Sequence, residues 1–156
     1  MIHFRSEVPR SGVDARRLKT VARALLREVH EDESGLSITL VDDARMRALN
    51  LQHRGKDKPT DVLSFPLCEP AEPRRAEAKP ACAPEHLLGD VVISVDTARR
   101  QAADYGAPLQ NEIYRLLIHG VLHVLGHDHE RAEERRAMEA EERRLAAAIR
   151  MPWPYE

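Results

Sequence analysis

Three histidines, His119, His123 and His129, stand in the run His119-Gly-Val-Leu-His123-Val-Leu-Gly126-His-Asp-His129. Residues four apart on a helix share a face, so the rings of His119 and His123 can converge on one cation at ~2.0–2.1 Å each. Gly126 can take the positive φ that ends a helix and turns the chain, which lets His129 swing back toward the other two. Three nitrogen donors leave a fourth position open, the pattern of a catalytic zinc rather than a structural one. His127 lies in the turn itself and competes as a ligand, although the glycine spacing favours His129. Asp128 has two open roles: orienting a ligand histidine through its other ring nitrogen, or bonding its own backbone in the turn.

The spacing H-x-x-x-H-x-x-G-x-x-H is also that of the metzincin zinc proteases. Those enzymes carry a glutamate directly after the first histidine, as the general base that activates water. Here that position is Gly120, which has no side chain to move a proton. Peptide hydrolysis by that route is therefore not expected. The metal cage survives, and a cation in it can still lower the pKa of water toward ~7.

A second group is basic. Within residues 51–60, Arg54, Lys56 and Lys58 are accompanied by one acid, Asp57. Such a local cluster can hold phosphates even on a chain of formal net charge −2, because short-range fields depend on local rather than bulk charge.

The elements that must position these groups follow from hydrophobic period and breakers. Residues 2–4 form a short strand, and Asp14 opens a helix with Leu18, Val21, Leu25 and Val29 on one face. Gly35 breaks the chain before an alternating strand over residues 36–41. Asp42 or Asp43 caps the next helix, with Met46 and Leu49 facing inward. Residues 51–60 are read as a polar loop, and 61–65 as a strand stopped by Pro66. Residues 67–86, with Pro70, Pro73, Pro80 and Pro84, read as a flexible proline-rich loop joining that strand to another over 87–94. A helix from Thr97 to about Tyr105 ends at Gly106, and Pro108 opens the histidine helix, roughly 109–126. A charged helix over 130–150 carries Met138, Leu145 and Ile149 on one stripe.

The order β-α-β-α-β-β-α-α-α predicts an α+β fold: a mixed sheet of about four strands packed by about five helices. The histidine helix is expected to be central and buried, since Ile113, Leu116, Leu117, Val121, Leu122, Val124 and Leu125 cover much of its surface. The 156 residues, 42% apolar and 32% charged, suit a single soluble domain over residues 1–156. Cys68 and Cys82 lie in the proline-rich segment, so a disulfide framework is not expected and a reducing compartment is. Neither a secretory signal nor an apolar stretch of ~18–20 residues is seen, which places the protein in the cytoplasm and off the membrane.

Two further segments narrow the reading. One is Asn50-Leu-Gln-His-Arg54-Gly-Lys-Asp-Lys-Pro-Thr-Asp61-Val-Leu-Ser-Phe-Pro66, and the other is Leu88-Gly-Asp90-Val-Val-Ile-Ser94. Together with the histidine run they resemble the YbeY family of bacterial endoribonucleases. Its histidine signature, H-G-x-L-H-L-x-G-Y/H-D-H, is matched by residues 119–129, with Val124 at a usual leucine and His127 at the tyrosine-or-histidine position. Its other signature, approximately N-x-x-Y/H-R-x-x-D-x-P-T-D/N-V-L-S-F-P, is matched by residues 50–66.

The resemblance implies a metal-dependent, single-strand-specific endoribonuclease that matures the 3′ end of 16S small-subunit ribosomal RNA and acts in ribosome quality control. It implies one zinc ion on His119, His123 and His129, and it places Arg54 at the family's functional arginine. The implied partners are single-stranded RNA, small-subunit ribosomal RNA and the ribosome, with no DNA. Lys56 and Lys58 would then guide the RNA backbone. The general base stays open among Asp128, Glu130, His127 and the RNA 2′-hydroxyl. Two other readings compete: a hydrolase of peptides or small esters using the same cage, and an RNA-binding ribosome-assembly factor whose zinc is structural.

Overall fold

Short side chains and glycines close half of the helix ends. The first helix, α1 (Ala15–Glu28), starts after Asp14, whose carboxylate accepts from the Arg17 N–H at 3.1 Å. Helix α2 (Asp43–Arg54) starts after Asp42, which accepts from the Arg45 N–H at 2.8 Å, and stops where Gly55 turns left-handed at φ 69°. Each cap satisfies backbone groups that a helix end leaves without a partner. Helix α3 (Val95–Tyr105) follows Ser94 and ends at Gly106, also left-handed. Helices α4 (Leu109–Val124) and α5 (Ala132–Ala148) complete the set. The computed structural model describes residues 1–67, 87–128 and 130–155. Most of the proline-rich segment, residues 68–86, and His129 lie outside the described residues.

Four strands, β1 (Ile2–Ser6), β2 (Gly35–Val41), β3 (Val62–Pro66) and β4 (Leu87–Ser94), form one sheet in the order β1-β2-β4-β3. The first two pairings are parallel, and β3 runs antiparallel to β4 with Val62 opposite Ile93 and Pro66 opposite Gly89. The expected α+β fold with a mixed four-stranded sheet and five helices is what forms. Pro66 belongs to β3 rather than stopping it. It is tolerated because β3 lies at the edge, where a missing N–H breaks no ladder.

The sheet buries different sets on its two faces. The larger cluster joins Ile38, Leu40, Val91 and Ile93 of the sheet to Leu18 and Leu25 of α1, to Ile113, Leu117 and Val121 of α4, and to Met138 and Leu145 of α5. Each such side chain, fully buried, is worth about 1.5–3 kcal/mol. The smaller cluster is Met46 of α2 with Val41, Leu63 and Val92, and Leu49 packs against it. Helix α4 touches β3, β4, α1, α3 and α5. Among the described residues no helix is long and apolar enough to cross a membrane.

One boundary differs from the sequence reading in a way that matters for the site. Residues 51–54 are the last turn of α2, not the start of a loop. Leu51, Gln52, His53 and Arg54 are all exposed, so apolar periodicity carries no signal there. The stop signal is Gly55, whose N–H bonds the Leu51 carbonyl at 3.0 Å. Arg54 is therefore fixed on a helix end instead of riding on a loop.

Candidate active site

Helix α4 carries Glu112, Arg115, His119 and His123 at steps of three and four, which places them on one stripe. The last two face each other. His119 Nε2 and His123 Nε2 are 3.0 Å apart, with ring centroids at 4.6 Å and ring planes at 75°. Behind them, the Nδ1 of His119 lies 3.2 Å from Oε1 of Glu142 on α5.

The paired rings open onto a cleft of about 490 Å³. One wall is β3 and its lead-in, through Thr60, Asp61, Val62 and Ser64; another is the turn after α4, through Gly126, His127, Asp128 and Glu130. Arg54 closes the third side. The structure thus brings Arg54 and two of the three expected histidines to one space, with Asp128 and His127 beside them. His129 lies outside the described residues. Among those described, no group of three His, Cys, Asp or Glu side chains is arranged to hold a metal ion, so His119 and His123 supply two donors there.

Those two donors fit a cation. Two imidazole nitrogens on one tetrahedral ion at ~2.0–2.1 Å lie roughly 3.3 Å apart, close to the 3.0 Å observed. Such nitrogen donors suit zinc, and also cobalt, nickel or iron.

Arg54 reaches the cleft because α2 is anchored at its far end. The Asp43 carboxylate accepts from Ser94 Oγ at 2.6 Å, Thr97 Oγ1 at 2.7 Å and an Arg100 nitrogen at 2.8 Å. Burial alone would push this carboxyl up, but the three hydrogen bonds and the Arg100 charge hold it below the usual carboxylate range. Past Arg54 the chain is pinned back on α2: Asn50 Nδ2 donates to the Lys58 carbonyl at 2.8 Å, and Arg47 grips Asp57 at 2.7 and 3.0 Å. The hydrogen bond from Arg47 keeps the Asp57 carboxyl below its ordinary range. Asp57 therefore serves α2 rather than its lysine neighbours. Lys56 and Lys58 are exposed and do not line the cleft.

The missing glutamate at position 120 has a packing reason. A Cβ built on Gly120 would sit 2.6 Å from Cγ1 of Val91 and 3.2 Å from Ser64 Oγ. The Ser64 hydroxyl also donates to the Gly120 carbonyl at 3.0 Å. Position 120 faces the sheet at the closest approach of α4, while 119 and 123 face the cleft. A side chain there would have to displace buried Val91, so this fold has no room for a protease-type base at that position.

Sequence reasoning missed Glu142, Ser64, Asp61 and Thr60 as parts of the site. Glu142 did leave a trace. It sits at the inward position between Met138 and Leu145 of the α5 stripe, where an acid is out of place. The other three stand within the 50–66 signature, which does not say that they face the histidines; the placement of β3 brings them to the cleft.

Comparison with known proteins gives the family and the fold. The Endoribonuclease YbeY family profile matches residues 3–150. A protein of Anaeromyxobacter sp. (strain Fw109-5) named endoribonuclease YbeY is 48% identical over 147 residues, covering 94% of this chain and 71% of its own length. A protein of the same name from Desulfitobacterium hafniense (strain Y51) is 43% identical over 129 residues, covering 83% of this chain and 80% of its own length. The fold is shared with the solution structure of a Thermotoga maritima protein, at a TM-score of 0.59 and 24% identity over 100% of this chain and 96% of that one.

Proposed function

This chain belongs to the YbeY family of endoribonucleases, and we propose that it cleaves single-stranded RNA in the cleft that Arg54 shares with His119 and His123. That shared space carries the reading: a guanidinium and two converging Nε2 atoms line one cavity of about 490 Å³. His119, His123 and His129 would hold one zinc ion. When bound there, zinc supplies a Lewis acid for a phosphate oxygen and a lowered pKa for water.

The chain's own groups do the rest. The Arg54 guanidinium grips two phosphate oxygens at once and offsets the negative charge that builds as the phosphodiester is attacked. Its helix-end position keeps that grip rigid. Lys56 and Lys58 lie outside the cleft and steer the RNA backbone toward it. With three tyrosines, two phenylalanines and one tryptophan in the chain, base stacking is sparse, so binding is mainly electrostatic and weakens with salt. Asp128, Glu130 and His127 line the cleft and are candidates to accept a proton, with the Asp61 carboxylate on the same wall as Thr60. The RNA 2′-hydroxyl is the alternative nucleophile. In the cell we assign the activity to the cytoplasm, to 3′-end maturation of small-subunit ribosomal RNA and to ribosome quality control.

The test uses metal-analysed protein on matched single-stranded and duplex RNA, with casein as a control substrate. Cleavage confined to the single strand, falling steeply with salt, is the expected result. Equal cleavage of the duplex, or cleavage of casein alone, overturns the proposal. The product ends then separate the nucleophiles, since a 2′,3′-cyclic phosphate appears when the 2′-hydroxyl attacks and does not when water does.

A further inference from the structure

Helix α5 is largely charged and exposed, yet one of its acids is turned inward. Glu142 is 8% exposed and stands in the stripe that packs Met138 and Leu145 into the core. Burying a carboxylate costs several kcal/mol unless it is hydrogen-bonded, and an apolar residue would serve the packing better. Its partner is His119. The distance from Oε1 to Nδ1 is 3.2 Å, across 23 residues of sequence. On this side of the ring lies a hollow of about 180 Å³, lined by His119, Arg135, Met138, Glu139 and Glu142, and His119 also lines the main cleft. His119 is thus the wall between two spaces, with Nε2 on the His123 side and Nδ1 on the α5 side.

A carboxylate can only accept here, so the proton of a neutral His119 ring belongs on Nδ1, and the Nε2 lone pair then faces His123 and the cleft. We infer that Glu142 is a positioning residue for the cation site: it fixes the tautomer and the ring plane of His119, so that Nε2 is presented as a donor before any ion arrives. This rests on the reading of the histidines as cation ligands. It gives α5 a role beyond packing. The helix is held against α1 by Arg144, which bonds the Glu28 carboxylate at 3.3 Å and the Glu28 carbonyl at 3.2 Å, and this docking sets where Glu142 stands.

The experiment compares the wild-type chain with Glu142→Leu, which suits the apolar stripe, and Glu142→Gln, which keeps an acceptor oxygen. Zinc dissociation constants are measured by competition with a chromophoric chelator. The His119 tautomer is read from imidazole nitrogen shifts in metal-free protein. Glu142→Leu should weaken zinc binding ~10–100-fold and abolish the Nδ1–H preference. Glu142→Gln should keep the tautomer and recover part of the affinity. Identical zinc affinity and identical tautomer in all three proteins would overturn the inference and leave Glu142 a packing residue. His123→Ala, run in parallel, separates the two levels. If that variant binds zinc as tightly as wild type, the cation reading falls and the positioning role with it. If it loses zinc while Glu142→Leu does not, only the positioning role falls.

Discussion

The two ends of the α4 stripe solve the same problem in opposite ways. At the N-terminal end, Glu112 is fully buried and bonded by Arg115 one turn along. The Arg115 guanidinium lies 4.7 Å from the Tyr155 ring, and Asn111 Nδ2 donates to the Tyr155 hydroxyl at 3.1 Å. Burial pushes the Glu112 carboxyl up, and Arg115 pulls it only part of the way back. At the C-terminal end, His119 and His123 are alike rather than complementary, and their nitrogens meet at 3.0 Å beside an open cleft. An acid and a guanidinium complete each other and are covered by the Tyr155 ring. Two neutral imidazoles can share one N–H···N hydrogen bond whose direction depends on their tautomers, and with both Nε2 lone pairs bare they can hold the proposed cation. The polar stripe of α4 thus divides into a structural half around buried Glu112 and, on the proposed function, a binding half around the partly exposed histidines.

Breaking the binding half should have the largest effect on function. His123→Ala should lose bound zinc and RNA cleavage together, because two ligands make a poor site; retained stoichiometric zinc by metal analysis would refute the ligand assignment. Breaking the structural half should leave zinc in place and cost stability instead. Arg115→Met leaves Glu112 buried without its guanidinium, at a cost of about 3–5 kcal/mol in chemical denaturation. The sign with pH follows. Glu112 has a raised folded-state pKa, so its neutral form favours the fold and stability is lost as pH rises through the carboxylate range. Without Arg115 the rise is larger, so the gap between wild type and variant should be smallest in acid and widen toward neutral pH.

Arg54→Glu sharpens the comparison from across the cleft. It should keep fold and zinc but lower cleavage by ~10²–10³-fold, the scale for removing a group that stabilises developing charge; unchanged turnover would remove Arg54 from the reaction. The smallest expected effect is that of Gly120→Ala. It should push α4 off Val91 and cost about 1–3 kcal/mol of stability, with a drop in zinc affinity as the stripe shifts. An unchanged urea midpoint would contradict the close packing of helix on sheet.

Much of the fold is legible in the chain because its signals are local. Asp14, Asp42 and Ser94 cap helices through their own side chains, and Gly55 and Gly106 end them. Alternation marks β2, whereas the antiparallel pairing of β3 with β4 is decided by the sheet, since a segment of that length between them also permits a parallel crossover. The end of α2 is not legible because its last turn, Leu51 to Arg54, is exposed all round and buries no apolar face. Within the site, the His119–His123 pair is readable from spacing alone. The backing of His119 by Glu142, and the facing of Asp61 and Ser64 toward the histidines, are not, because each depends on contacts between elements far apart in sequence.

The chain by itself determines what is local: which residues are helical, that two imidazoles share one helix face, and that Gly120 cannot supply a base. Only the folded sheet decides the rest. Strand order β1-β2-β4-β3 seats β3 beside α4, and α2, clamped at Asp43, delivers Arg54 to the histidines from the opposite side. It also decides that position 120 is pressed against Val91 and that α5 backs His119 with Glu142. The physical reason is range. Caps and helical periods act over three or four residues, whereas a cleft is assembled by burial of apolar faces that places side chains 23 to 56 residues apart within bonding distance.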